Sequence, residues 1–316
     1  MPPAPTPLRH AVVTGAAGFI GSHLTHALLA EGARVVGIDD ERAGDWSRVD
    51  AACERVHDDL SAMTVAELAD ALAGADACFH LAAEKYNSSR STPQRVIDVN
   101  ISATQRLLEA AARAGVGKVV FTSSLYAYGS LGPAPMRETD VPAPITVYGA
   151  SKVAGEHLLR VAAREHRLRW TVARLFFVYG PRQLAGGGYK SVIVSNFERI
   201  RGGEPPTVYG DGRQALDYVY VDDVVDALSR MTASAHDGAT FNVGSGRAIA
   251  VRDLVEQMVQ VAGSTTRPVT CPPDWTAGTC RVADVSLAAS SLGWRATTAL
   301  ADGLARVWDW MERTSG

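Results

Sequence analysis

The chain has 316 residues, 47% hydrophobic and 21% charged, with a formal net charge of −3, the profile of a folded globular protein rather than a disordered one. The slight acidic balance and the lack of any Lys/Arg run exclude a basic surface for nucleic acid or anionic lipid. No apolar run approaches the roughly 20 residues that span a membrane.

A small-molecule ligand is therefore expected, with no nucleic-acid or membrane partner. The length suits a main domain with a smaller companion. Cys53, Cys78, Cys271 and Cys280 have no metal or redox spacing and read as free buried thiols, so no metal site is expected. Met1 to Pro7 is Pro-rich without a charged region and apolar stretch, which points away from a signal peptide and to a reducing cytoplasm.

In chain order, short apolar runs alternate with segments of helical period. HAVVTG is followed by a helix from Ile20 to Glu31, then ARVVGID and a helix near Val65 to Ala73. ACFHLAA precedes a long helix from about Val96 to Ala114. KVVFTSS precedes a helix from about Tyr148 to Glu165, and RWTVARLFFVYG closes the series. Buried strands separated by helices predict a doubly wound α/β fold, a parallel sheet of the Rossmann type. Beyond Gly180 the Gly- and Pro-rich stretches LAGGGYK and RGGEPPTVYGDGR flank a helix near Ser191 to Arg201 and read as a lid-like substrate region. YVYV, FNVG and a helix from Val251 to Ala262 follow. The expected organisation is a dinucleotide-binding domain over 8–180 and a mainly substrate-binding region over 181–316, with segments near 215–245 returning to the first. Trp308, Trp310 and Met311, at helical spacing, read as core, and His80 as a packed strand-end histidine.

Gly15, Gly18 and Gly21 stand between a strand and a helix. Such a turn needs a residue without Cβ, close backbone approach to a pyrophosphate, and tight helix–strand packing, with the phosphate on the helix N-terminal amides. The next strand ends at Asp39, 24 residues after Gly15, where a carboxylate can accept hydrogen bonds from a ribose diol. That favours NAD over NADP, although Arg42 nearby keeps NADP open. Asp59 and Leu60, after a further strand, are candidates for the adenine pocket or an ordinary surface carboxylate and core leucine.

Tyr148 and Lys152 are four apart on a helical segment and share one face. An ammonium there is expected to lower the tyrosine pKa toward the working pH. Ser124, ending the strand KVVFTSS, would hold the substrate oxygen from the carboxyl edge of the sheet.

TGAAGFIGSHL, HLAA at 80–83, DVN at 98–100, TSS at 122–124, YGASK at 148–152, VYGPR at 178–182 and YVDDVV at 220–225 together resemble the extended short-chain dehydrogenase/reductases, and among them the nucleotide-sugar epimerases and dehydratases. The resemblance runs from about residue 10 to 312. It implies that Ser124, Tyr148 and Lys152 are catalytic. It also implies that Gly15, Gly18, Phe19, Ile20, Gly21, Asp39, Asp59, Leu60, Ala82, Lys85, Tyr148 and Lys152 contact NAD. Asn100 would support the active site, and the helices around 100 and 155 would form a homodimer interface.

Dehydratases of this group carry an Asp-Glu pair just after the catalytic Ser/Thr. Here Leu125 and Tyr126 stand there, and neither shuttles a proton readily at neutral pH, so elimination is not expected. The expectation is 4-epimerisation of a nucleotide sugar through a transient 4-keto sugar. A related NAD-dependent dehydrogenase/reductase, or a dehydratase using unfamiliar residues, acting on a sugar, nucleoside or cyclitol derivative is the alternative, and a non-catalytic NAD-binding protein the third reading.

Three departures concern the substrate. Phe177 replaces a substrate-binding asparagine, Leu216 replaces the arginine that grips the diphosphate, and residues 268–280 hold no arginine. Arg182, Lys190, Arg213 and Arg281 are possible replacements. The loop Glu84 to Arg90 is expected to select the sugar, with Lys85, Ser124, Tyr126, Phe177, Arg182 and Arg213 as candidate substrate contacts.

Overall fold

The computed structural model describes residues 7–129, 135–183, 191–274 and 276–314. LAGGGYK, with Lys190, lies outside the described residues. Seven parallel strands form the central sheet: β1 (His10–Thr14), β2 (Arg34–Ile38), β3 (Glu54–Val56), β4 (Ala77–His80), β5 (Val119–Ser124), β6 (Trp170–Leu175) and the edge strand Ala239–Val243. Their order is Ala239–Val243, β6, β5, β4, β1, β2, β3, so the strand order reverses between β1 and β4, the position where open α/β sheets form a ligand crevice.

β1, β4 and β5 are buried along their whole length, as continuous apolar runs in a sheet covered on both faces must be. Leu24 and Leu28 of the helix Phe19–Ala30 and Val224 and Leu228 of the helix Val221–Arg230 cover one face. On the other face lie Leu68, Leu107 and Leu159, from the helices Val65–Ala71, Thr104–Arg113 and Val147–His166. Phe197, Leu254, Met258, Leu304 and Met311 form a third cluster, with Trp308 and Trp310 half-buried against it. Among the cysteines, Cys53 and Cys78 are buried and Cys271 and Cys280 only partly so, all four free.

The expected helix from Val96 to Ala114 is interrupted. Pro93–Ile97 and Thr104–Arg113 are α-helical, and Asp98–Ala103 between them is π-helical. Asn100 lies in this wider turn. Its carboxamide accepts from the Glu84 amide at 2.8 Å and donates to the Glu84 carbonyl at 3.1 Å and to Ser151 Oγ at 3.0 Å. A π-turn aims a side chain that a regular helix would point elsewhere.

C-terminal to β6, three small sheets carry the remaining strands. Phe177–Tyr179 pairs with Tyr218–Tyr220, Thr207–Tyr209 with Val269–Cys271, and Ala215–Leu216 lies between Ile249–Ala250 and Cys280–Arg281. Asp217, between Ala215–Leu216 and Tyr218–Tyr220 and fully buried, accepts from the Ser245, Gly246 and Ala283 amides and from Ser245 Oγ.

The helix Val147–His166 lies directly on β5 because Gly155 has no side chain; a Cβ there would collide with the tip of the Phe121 ring. Gly155→Ala should therefore lift the helix and lower the unfolding free energy by about 1–3 kcal/mol. Urea unfolding checks this, and an unchanged midpoint would contradict it.

Candidate active site

The glycine turn sits where β1, β2 and β4 end. Gly15 has φ +73°, and a Cβ on it would press against the Ala82 amide nitrogen at 2.9 Å. That contact brings HLAA against the glycine loop, and Thr14 Oγ1 fixes it by accepting from the Ala82 amide at 3.2 Å. At Gly21 a Cβ would collide with the Gly15 carbonyl. Gly18 begins the helix Phe19–Ala30 without any side-chain cap, which leaves the first-turn amides as a cradle for a phosphate. Asp39 closes the loop, accepting from the Ala17 amide at 3.0 Å and the Glu41 amide at 2.8 Å; burial holds its carboxyl above the ordinary value. An uncapped glycine turn with an acid at the next strand end fits a dinucleotide.

The adenosine side holds a residue that pattern reading missed. Arg95, 21% exposed, donates to Asp59 Oδ2 at 2.7 Å, Ser61 Oγ at 2.6 Å and Glu84 Oε1 at 3.3 Å, and lies 3.6 Å from Asp40. It joins the ends of β2, β3 and β4. No motif marks it; the only signal is three acids at successive strand ends with one cation nearby in sequence. Asp59 is held below the ordinary carboxylate range: burial alone would raise it, and hydrogen bonds from Ser61 and Arg95 outweigh that. Leu60 is core, and Lys85 and Arg42 are exposed.

Ser124, Tyr148 and Lys152 converge at the carboxyl end of β5. Thr146 Oγ1 caps the helix Val147–His166 by accepting from the Gly149 amide, and Ser89, from the loop after β4, accepts from the Tyr148 amide at 2.8 Å. Ser124, 7% exposed, accepts from the Tyr126 amide at 3.3 Å. Lys152, 4% exposed, donates to the Thr122 carbonyl at 2.9 Å and lies 5.8 Å from the centre of the Tyr148 ring. His80 is packed as expected, between Thr14 Oγ1 and Thr104 Oγ1, and burial with Lys152 nearby pulls its pKa down to about 3, so it stays neutral.

The electrostatics correct one expectation. Loss of water pushes Tyr148 up to about 12, with the Ser124 hydroxyl pulling the other way, and pushes Lys152 down to about 8, with Glu156 opposing. Spacing showed the two residues to be neighbours, but for each the loss of water is the largest influence on its pKa.

On the sugar side, Tyr86 stacks on Tyr126 at 4.8 Å, Tyr126 meets Tyr148 edge-on at 5.8 Å, and the Arg281 guanidinium carbon lies 5.4 Å from the Tyr126 ring centre. Phe177 packs between this group and the C-terminal cluster, 6.0 Å from the Tyr218 ring. Arg182 turns to the helix Phe19–Ala30 and donates to the Ser22 carbonyl, while the Arg213 side chain is 76% exposed and pairs with Asp211.

A glycine turn fit for a dinucleotide and the clustered Ser124, Tyr148 and Lys152 thus lie together at the carboxyl edge of a doubly wound sheet. The family model described as "NAD dependent epimerase/dehydratase family" matches residues 11–244, and the chain belongs to this family, whose cofactor is NAD. It is 37% identical over 315 residues to the UDP-glucose 4-epimerase of Mycolicibacterium smegmatis, covering 96% of this chain and 99% of that protein. The UDP-glucose 4-epimerase of Thermotoga maritima, solved with UDP-glucose, matches with a TM-score of 0.90 at 32% identity over 97% of this chain and 100% of that one. The UDP-glucuronic acid 4-epimerase of Bacillus cereus, solved with UDP-glucuronic acid and NAD, matches with a TM-score of 0.86 at 27% identity over 96% and 99%.

Lys152 supplies a pH test. Its folded pKa of about 8 lies below the ordinary 10.5, so the unfolded chain binds the extra proton between these values. The stability penalty of the buried ammonium is full below pH 8 and relieved as pH rises to 10.5. Relative to Lys152→Met, the wild type should gain on the order of 3 kcal/mol across that window. Denaturant unfolding of both proteins at several pH values checks this, and a constant gap would contradict it.

Proposed function

We propose that the protein is an NAD-dependent 4-epimerase of a nucleotide sugar. The observation that carries the reading is an assembled Ser124, Tyr148 and Lys152 set with Leu125 and Tyr126 in the places of the dehydratase acid–base pair. Leu125 is buried, and Tyr126 is held between Tyr86 and Arg281, so nothing there moves a proton between C5 and C6.

Bound NAD supplies the hydride acceptor and donor and, when oxidised, a ring cation that favours a nearby anion. Ser124 Oγ donates to the sugar O4. Tyr148 takes the O4 proton as C4 is oxidised and returns it to the ketone oxygen as C4 is reduced. Lys152, held on the Thr122 carbonyl, keeps positive charge beneath the tyrosine below about pH 8. Tyr86, Tyr126 and Phe177 give the turning sugar an apolar wall, on which a ring can change face without breaking a fixed set of polar contacts. Residues 8–180 serve NAD, and 181–316 mainly serve the substrate, Ala239–Val243 returning to the sheet edge. The enzyme works as a cytoplasmic homodimer, with the helices around 100 and 155 as the interface; Ile97 and Val161 are exposed there, at 38% and 48%.

The test is a panel of UDP-, dTDP-, GDP- and CDP-hexoses and uronates, following sugar isomerisation and NADH absorbance together. Isomerisation without net NADH is expected, and Tyr148→Phe should lower kcat by about 10²- to 10⁴-fold while NAD stays bound. NADH accumulating in step with substrate consumption would overturn the reading in favour of a dehydrogenase.

A further inference from the structure

We infer that Arg281 makes the contact to the substrate diphosphate that Leu216 cannot make. The inference rests on the nucleotide-sugar reading above. Strands Ala215–Leu216 and Cys280–Arg281 run parallel and place Leu216 and Arg281 in register. Side chains paired in register leave a sheet on the same face, about 4.8 Å apart. A guanidinium rooted at 281 therefore starts one strand away from one rooted at 216, a displacement that an arginine stem spans.

Arg281 is only 6% exposed, and its backbone is fixed. Its carbonyl accepts from the Asp217 amide at 3.0 Å, and the buried Asp217 carboxylate holds the Ala283 amide at 3.0 Å. The guanidinium lies over Tyr126, whose ring touches Tyr148 edge-on. The cation thus sits at the edge of the reaction site, over an aromatic face. A planar fork held in this way suits two phosphate oxygens. Leu216 joins the apolar cluster that also contacts Phe177, so the side chains at 177 and 216 have both turned apolar on the flank of the cleft while the positive charge has moved one strand over.

The two other described arginines considered for the role are placed differently. The Arg213 side chain points to water beside Asp211, and Arg182 lies against the helix Phe19–Ala30.

Calorimetric titration of UDP, dTDP, UDP-glucose and UDP-glucuronate into the NAD-loaded wild type and Arg281→Met tests the assignment without relying on turnover. Arg281→Met should weaken whichever nucleoside diphosphate binds the wild type, with or without its sugar, by about 10- to 100-fold, with NAD content unchanged. The double variant Arg281→Met/Leu216→Arg, which moves the guanidinium back across the register pair, should recover much of that affinity, which a merely structural role for Arg281 would not allow. Loss confined to UDP-glucuronate would overturn the proposal by placing Arg281 on the sugar carboxylate, and unchanged nucleoside-diphosphate affinity would overturn it outright. A wild type that binds a nucleoside diphosphate but isomerises no sugar sinks the epimerase reading alone. One that binds none of the four ligands sinks both.

Discussion

Below Ser124, Tyr148 and Lys152, Glu156 and Arg174 form an ion pair almost wholly out of water, with side chains 1% and 3% exposed. Glu156 follows Lys152 by one helical turn. It accepts from Arg174 Nε and Nη2 at 2.9 and 2.8 Å and from Ser123 Oγ at 2.6 Å. One carboxylate thus fixes the catalytic helix to β5 and β6 at once, and the positions of Tyr148, Lys152 and Ser124 relative to one another depend on it. Arg174 continues the connection, lying 4.7 Å over the Tyr128 ring, whose hydroxyl donates to Asn242 on the edge strand at 2.6 Å. A buried pair need not add net stability, but removing one partner leaves an uncompensated charge and costs about 3–5 kcal/mol. Its effect here is to allow only one docking of the helix on the sheet.

A second network holds the cleft from the cofactor side. Arg95 ties the ends of β2 and β3 to Glu84, Asn100 clamps the Glu84 backbone to Ser151, and Ser151 Oγ donates to the Tyr148 carbonyl at 2.7 Å. Ser89 then holds the Tyr148 amide. The tyrosine is gripped at both its backbone groups, through polar contacts that begin where adenosine is expected. Placement of the catalytic hydroxyl and shaping of the dinucleotide site are therefore properties of one connected structure.

The fold and the convergence of Ser124, Tyr148 and Lys152 were legible because their rules are local. Glycines at 15, 18 and 21 are demanded by backbone approach, and Tyr148 and Lys152 share a face by helical period. What escaped the sequence is what depends on distant partners. The π-turn at Asp98–Ala103 exists because Asn100 must reach a loop after β4, and helical period carries no trace of that. The Tyr148 and Lys152 pKa values follow from burial, which spacing does not report. Glu156 and Arg174 did leave a signal: a carboxylate on the buried face that carries 148 and 152, and a lone cation in the apolar strand TVARLFF. Two such charges in one core must meet. The arginine missing at 216 was legible as an absence and Arg281 as one of four candidate replacements, whereas the register that sets 281 beside 216 appears only in the folded chain.

In 4-epimerisation one hydride leaves C4 and comes back to the same carbon within a single binding event. Turnover of a nucleotide sugar carrying deuterium at C4, followed by mass spectrometry of the recovered epimers, tests it most directly. The epimerised sugar should keep its deuterium at C4 in nearly full measure, in water and without added cofactor. Deuterium lost to solvent, or appearing in free NADH, would mean that the hydride does not return and would contradict it.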